Sequence, residues 1–186
     1  MTSSAGATGV RRIAHSVNRF VIEVDDTFDN ACRRFEELVP DIDLNALGAV
    51  IEAGDLEAVK KYTAERTPNA FASFWKFNPT SMMKLRGNGT RAVTYMVGNS
   101  VIAETMFRHD AGVMLYAPLR VAFHTDAESR TFVSADQPST RFDSFGNPEI
   151  SAVGRLLDCL LAVVLGLLGV PVPIELAEPG IGSGPE

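Results

Sequence analysis

Glu104, His109 and Asp110 fall within seven residues in the stretch AETMFRHD, and Arg120 follows ten positions later in APLRV. A carboxylate, an imidazole and a guanidinium are the groups that acid–base catalysis or anion binding requires. Glu104 and Arg108 stand i, i+4 on a predicted short helix and are expected to pair on its surface. Glu104 and His109 are five apart and share no helical face. His109 lies near that helix's C-terminus, where the dipole favours an imidazolium. It would serve chemistry as a general base or as a metal or haem ligand. Its structural role would be a cap, with His109 and Asp110 bonding turn backbone and Gly112 taking the unusual dihedrals of the turn. The cap is the expectation.

Arg120 sits in LYAPLRVAF, whose alternation places Leu119, Val121 and Phe123 on one face of a strand and Arg120 on the other. If helices cover the apolar face, Arg120 lies on the open face. There it would hold a carboxylate or phosphate, or make an inter-subunit ion pair, the reading favoured here.

A third set is soft and apolar: Phe71, Phe74, Trp75, Phe77, Met82, Met83, Met96, Met106 and Met114. Such side chains line adaptable pockets and would suit haem, flavin or a fatty ligand, though no motif specifies a cofactor. Core packing explains the same set. The segment NPTSMMKLRGNG, residues 78–89, is a candidate flap over a pocket near Met82 and Met83.

Several chemistries lack their residues. His15, His109 and His124 show neither HxH nor HExxH spacing, so no zinc site is expected. His124 reads as a surface histidine and His15 as solvated. Cys32 and Cys159 form no CxxC motif and are expected as buried side chains on helices. Gly87-Asn88-Gly89-Thr90-Arg91-Ala92 imitates GxGxxA but precedes a strand, where a dinucleotide fingerprint must follow one. Ser139 and Ser144 have no local base and read as turn residues.

The balance of charge narrows the partners. A net charge of -6 is unlike the basic face of a nucleic-acid binder or the polybasic patch of a lipid-attached protein. The N-terminal residues carry no apolar run after their arginines, so no signal peptide is expected and the location expected is cytoplasmic. CLLAVVLGLLGV, the 12 residues from Cys159, falls short of the roughly 20 that cross a bilayer and predicts a buried helix. Asn88-Gly89-Thr90 reads as a turn rather than a glycosylation site.

The elements that must position these groups follow from periodicity. Strands are expected at 17–24, 70–77, 90–97, 115–123 and 130–135, the last two as a hairpin around Thr125 to Ser129. Helices are expected after Thr27 (Phe28, Ala31, Cys32, Phe35 and Leu38 inward, Pro40 ending it), at Asp55 to Arg66, at Asn99 to His109, and from Pro148 to Leu168. Strands outnumber the long crossovers of a parallel sheet. The class is therefore α+β, a mostly antiparallel sheet with helices on one face. Residues 1–12 form a disordered lead-in, 13–170 a single domain, and 171–186 an irregular tail.

The pieces GN…AETMFRHD…LYAPLRV, Asp136-Gln137-Pro138-Ser139 and Phe145-Gly146-Asn147-Pro148-Glu149, in that order and spacing, resemble the DUF302 family. The resemblance covers roughly Val17 to Leu168. It implies a core of one strand, a helix, four strands and a final helix, in the manner of TBP-like folds, and no agreed catalytic residues. The chain departs from the family at residues 78–89 and in the apolar density of its last helix.

Three functions of different class are compatible: a homodimeric binder of a small apolar ligand, an enzyme using Glu104, His109 or Arg120, and a self-associating scaffold. Binding ranks first, because a general acid–base site needs several titratable groups converging in a cleft. In the last helix Glu149, Arg155 and Asp158 mark a polar side that disappears from Cys159 onward. The homodimer is expected through Leu161, Leu165 and Leu168, where the helix becomes apolar all round.

Overall fold

A computed structural model describes residues 9–178 except Arg86 and Asn88. The expected lead-in over residues 1–8, the tail beyond 178 and the Asn88 part of the turn lie outside the described residues. Five strands, β1 (Arg19–Val24), β2 (Ala72–Phe77), β3 (Ala92–Gly98), β4 (Leu119–Thr125) and β5 (Thr131–Asp136), form one sheet in the order β1-β5-β4-β3-β2. Every neighbouring pair is antiparallel. The described helices are α1 (Phe28–Leu38), α2 (Leu44–Glu52), α3 (Leu56–Arg66), α4 (Thr80–Lys84), α5 (Ser100–Phe107), α6 (Pro138–Phe142), α7 (Pro148–Leu168) and α8 (Ile174–Ala177). The fold is α+β, as the strand count requires.

Alternation sets the two faces of the sheet. Val93, Tyr95 and Val97 of β3, Leu119, Val121 and Phe123 of β4, and Val133 of β5 are buried under the helices. The Thr27 side chain accepts the Asn30 N–H and starts α1, which delivers Phe28, Ala31, Cys32 and Phe35 to this core. Phe35, Tyr95 and Phe123 meet with ring centroids 5.0, 5.2 and 6.0 Å apart. The opposite face carries Arg120, Met96 and Trp75, and Arg120 is exposed there as the alternation predicts.

β2 contains a bulge. Ser73 pairs with Val97 and Trp75 with Met96, so two residues advance against one and Phe74 is the extra residue.

Helix α7 departs from the expected assembly. Leu161, Leu165 and Leu168 are only 2%, 2% and 1% exposed, because the chain's own core covers them. They cannot supply a subunit contact. The uncovered apolar stripe is instead Leu156, Val163 and Leu167, each about half exposed. Asp158, expected on the polar side, is fully buried. By length and composition alone α7 could cross a membrane, but Ile150, Leu157, Leu161 and Val164 lie in the protein's own core. The tail is not wholly irregular: α8 buries Leu176, which closes over the end of the core. The segment expected as a flap forms α4, whose Met82 and Met83 are largely exposed.

Candidate functional site

The apolar cavity is built by the ends of elements rather than by the α4 segment. It encloses about 470 Å³ between α5, the residues leading into β4, and the ends of β2 and β3. Asn99 fixes this corner. Its carboxamide oxygen accepts the N–H groups of Val101 and Ile102 at 3.0 and 3.2 Å and so starts α5. Its Nδ2 donates to the Ala70 carbonyl at 3.0 Å and ties α5 to the lead of β2. Gly98 packs against Pro118 beside it, where a Cβ would stand 3.4 Å from Pro118 Cβ, in ordinary contact.

The walls come from Phe71, Phe74, Ile102, Met106 and Leu119, while Phe107 and Met114, each about half exposed, lie at the rim. Phe74, the extra residue of the bulge, gives its ring to this wall. Asn99, Ser100 and Glu104 are the polar residues of the lining. It holds two thioethers but no imidazole, thiolate or cation. That donor set fits neither haem propionates nor a flavin phosphate.

The residues singled out from the sequence divide between places. Met106 and Glu104 line the apolar cavity, and Glu104 pairs with Arg108 across one helical turn. His109 is exposed in the following turn. Its backbone N–H donates to the Met106 carbonyl at 2.9 Å, and its imidazole is not the cap. Asp110 is: its carboxylate accepts the Gly112 N–H at 2.7 Å and starts a 3₁₀ helix over Ala111–Leu115. Gly112 has no left-handed dihedral; it lies beside the Asp110 carboxylate, where a Cβ would come within 2.9 Å. Glu104, His109 and Arg120 therefore do not converge. Met82 and Met83 line none of the cavities described here.

The open face of the sheet forms a second, larger concavity of about 760 Å³, lined by Met96, Arg120 and His124. Trp75 and Phe77 stack beyond it, with centroids 5.5 Å apart. His124 stacks on Phe132 at 5.5 Å. Arg19 and Arg141, which drew no attention in the sequence, also line this face, with Asp136 of the Asp136-Gln137-Pro138-Ser139 piece. Arg19 on the edge strand β1 and Asp136 on its neighbour β5 are register partners, a pairing that only the folded sheet shows.

A third, small pocket of about 190 Å³ is polar. Glu36 accepts from the Tyr95 hydroxyl at 2.6 Å and from Lys76 at 2.5 Å. Burial would raise the Glu36 carboxyl, but these bonds outweigh it and hold the carboxyl below its usual range. Burial raises the neighbouring Tyr95 hydroxyl, and its bond to Glu36 raises it further. Burial also pushes the Cys32 thiol up to about 11, so Cys32 is a protonated, inert thiol. Cys159 is half-buried, and both cysteines are free. Among the described residues no three His, Cys, Asp or Glu side chains cluster as a metal site requires.

With this geometry in place, comparison defines the class. Residues 52–164, more than half of the chain, match the family described as Domain of unknown function DUF302, and the chain belongs to that family. The fold is similar to the crystal structure of an uncharacterized conserved DUF302 protein from Bacillus stearothermophilus. That likeness has a TM-score of 0.59 at 14% identity, covering 81% of this chain and 97% of that one. No curated protein matches the sequence.

Proposed function

We propose that this DUF302 protein is a homodimeric binding protein for a small apolar molecule, held in the cavity between α5 and the start of β4. The observation that carries this reading is the cavity itself. About 470 Å³ lies within the range of roughly 300–1,000 Å³ of small-molecule sites. Its lining is apolar apart from Asn99, Ser100 and Glu104, which would orient a ligand without activating it. Glu104 is committed to Arg108, and no second titratable side chain of the described residues faces it in that cavity. Binding fits this arrangement better than acid–base catalysis, which needs a converging pair.

The stripe Leu156, Val163 and Leu167 supports the dimer. These side chains recur on one side of α7 and are each about half exposed. Covering the exposed half of each would contribute about 0.7–1.5 kcal/mol, half the value of a whole side chain.

Native mass spectrometry of protein purified from its own host tests the binding reading. A stoichiometric adduct of one small molecule per chain is expected, removed by denaturation. Protein of bare mass that also fails to take up an apolar probe would overturn it.

A further inference from the structure

We infer that the open face of the sheet is a second site, which takes a small organic anion, a carboxylate or a phosphate, with its apolar part against Met96 and Val21. The face is concave, about 760 Å³, and three guanidinium groups line it: Arg19, Arg120 and Arg141. Asp136 is the one carboxylate in that lining. In a chain of net charge -6, this places a local cationic excess in a concavity, where field lines concentrate and draw anions.

Two of the arginines are held in position. Arg141 donates from Nε to Asp136 at 3.1 Å, and Arg19 donates from Nε to the other oxygen at 3.2 Å. The Arg141 guanidinium also lies 4.9 Å over the Tyr116 ring. Asp136 thus serves as an anchor, and each anchored guanidinium keeps further N–H groups for a ligand. Arg120 differs. It stands on the central strand β4 beside Met96 of β3, and among the described residues no carboxylate pairs with it. A planar guanidinium without a carboxylate partner, across β5 from the anchored Arg19, is suited to grip a carboxylate or phosphate through two parallel bonds.

The surface around these charges is apolar. Val21 and Leu115 are largely exposed on the same concavity. Trp75 is the register partner of Met96, so the Trp75–Phe77 stack continues the same face. An inorganic ion would use only the arginines, whereas an anion with a flat apolar body would use both.

Amide NMR on the ¹⁵N-labelled protein at low salt, titrated separately with inorganic phosphate, phenyl phosphate and benzoate, tests the inference. Saturable shifts are expected at Ala122 and Ser134, with phenyl phosphate binding at least about tenfold more tightly than inorganic phosphate. Arg120→Gln, a substitution at an exposed position, should leave the rest of the spectrum in place. It should weaken the better organic anion by about tenfold or more, the scale of one charge-assisted bond. Benzoate or phenyl phosphate, whichever binds more tightly, assigns the ligand class. The inference is overturned if no probe saturates, if the shifts gather at Gly98 and Ile102, or if Arg120→Gln leaves the titration unchanged. It is equally overturned if that variant changes only the oligomeric state, since Arg120 would then be a subunit contact. The apolar-cavity reading stands or falls separately, because inorganic phosphate cannot report on it.

Discussion

Asp158, buried at the middle of α7, accepts the backbone N–H of Ser139 at 2.8 Å through one carboxylate oxygen. Its other oxygen accepts Nε2 of Gln137 at 2.9 Å. The same Gln137 amide donates to the Glu175 carbonyl at 3.2 Å, and its oxygen accepts from Asn18 at 2.9 Å. One carboxylate therefore ties α7, α6, α8 and the lead into β1 together. Burial raises the Asp158 carboxyl above its ordinary value, against the opposing bonds from Ser139 and Gln137.

Asp158→Ala should lower unfolding stability by about 2–4 kcal/mol, because it strands a buried N–H and a buried amide. Urea unfolding followed by circular dichroism measures this. A loss under about 0.5 kcal/mol, the level of an ordinary surface substitution, would refute the tie.

Gly154 sits one turn before Asp158 and meets the same segment. A Cβ there would stand 3.0 Å from Ser139 Cα and 3.1 Å from Phe142 Cβ. Gly154→Val should therefore push α6 off α7 and cost about 1–3 kcal/mol, the scale of overpacking. Thermal unfolding gives the answer, and an unchanged or raised Tm would mean that α6 yields freely.

Much of the frame was legible in the sequence. Strand parity at Leu119, Arg120 and Val121 placed Arg120 on the open face because a period of two leaves only one alternative. Helix starts at Thr27, Asn99 and Pro148 were readable from capping chemistry. What escaped depends on contacts distant in the chain. Helix α2 was missed because it buries little but Leu47 and contains Gly48, although Asp43 caps it by accepting from Asn45 and Ala46. Asp158 was assigned to the polar side because periodicity cannot show a partner such as Ser139 on another helix. The cavity was expected near Met82 and Met83, but it lies at the corner lined by Phe74 and Asn99, which meet only in the folded chain.

Acid should act on the open face. Burial would raise the Asp136 carboxyl, but the bonds from Arg141 and Arg19 outweigh it and hold its pKa below the ordinary 3.8. A depressed carboxyl stabilises the fold above the unfolded value and loses that contribution as pH falls through the folded value. Asp136→Asn should accordingly make the fall in stability below about pH 4 shallower. Unfolding midpoints from pH 2 to 6 show this; an identical slope in both proteins would rule out the ion pairs as its source.

The subunit contact has its own test. Val163→Glu places a charge in the exposed stripe of α7 without touching the core, so it should shift a dimer to monomer in sedimentation velocity at micromolar concentration. A monomeric unmodified protein, or a variant that stays dimeric, would remove α7 from the interface.

His109→Ala should leave stability within about 0.5 kcal/mol, the range of a surface substitution, since Asp110 rather than the imidazole caps the turn. Chemical denaturation measures it. A loss above about 1 kcal/mol would restore His109 as a structural group.

The most direct measurement is a fluorescence titration with N-phenyl-1-naphthylamine, a neutral apolar probe, on the unmodified protein and on Ala103→Trp. Ala103 lines the cavity, and an indole there would occupy much of its 470 Å³. Saturation at one probe per chain is expected, weakened about tenfold or more in Ala103→Trp and unchanged in Met82→Ala, on α4 outside the cavity. Binding that ignores Ala103→Trp, or that is lost in Met82→Ala, would contradict the assignment of the apolar cavity as the ligand site.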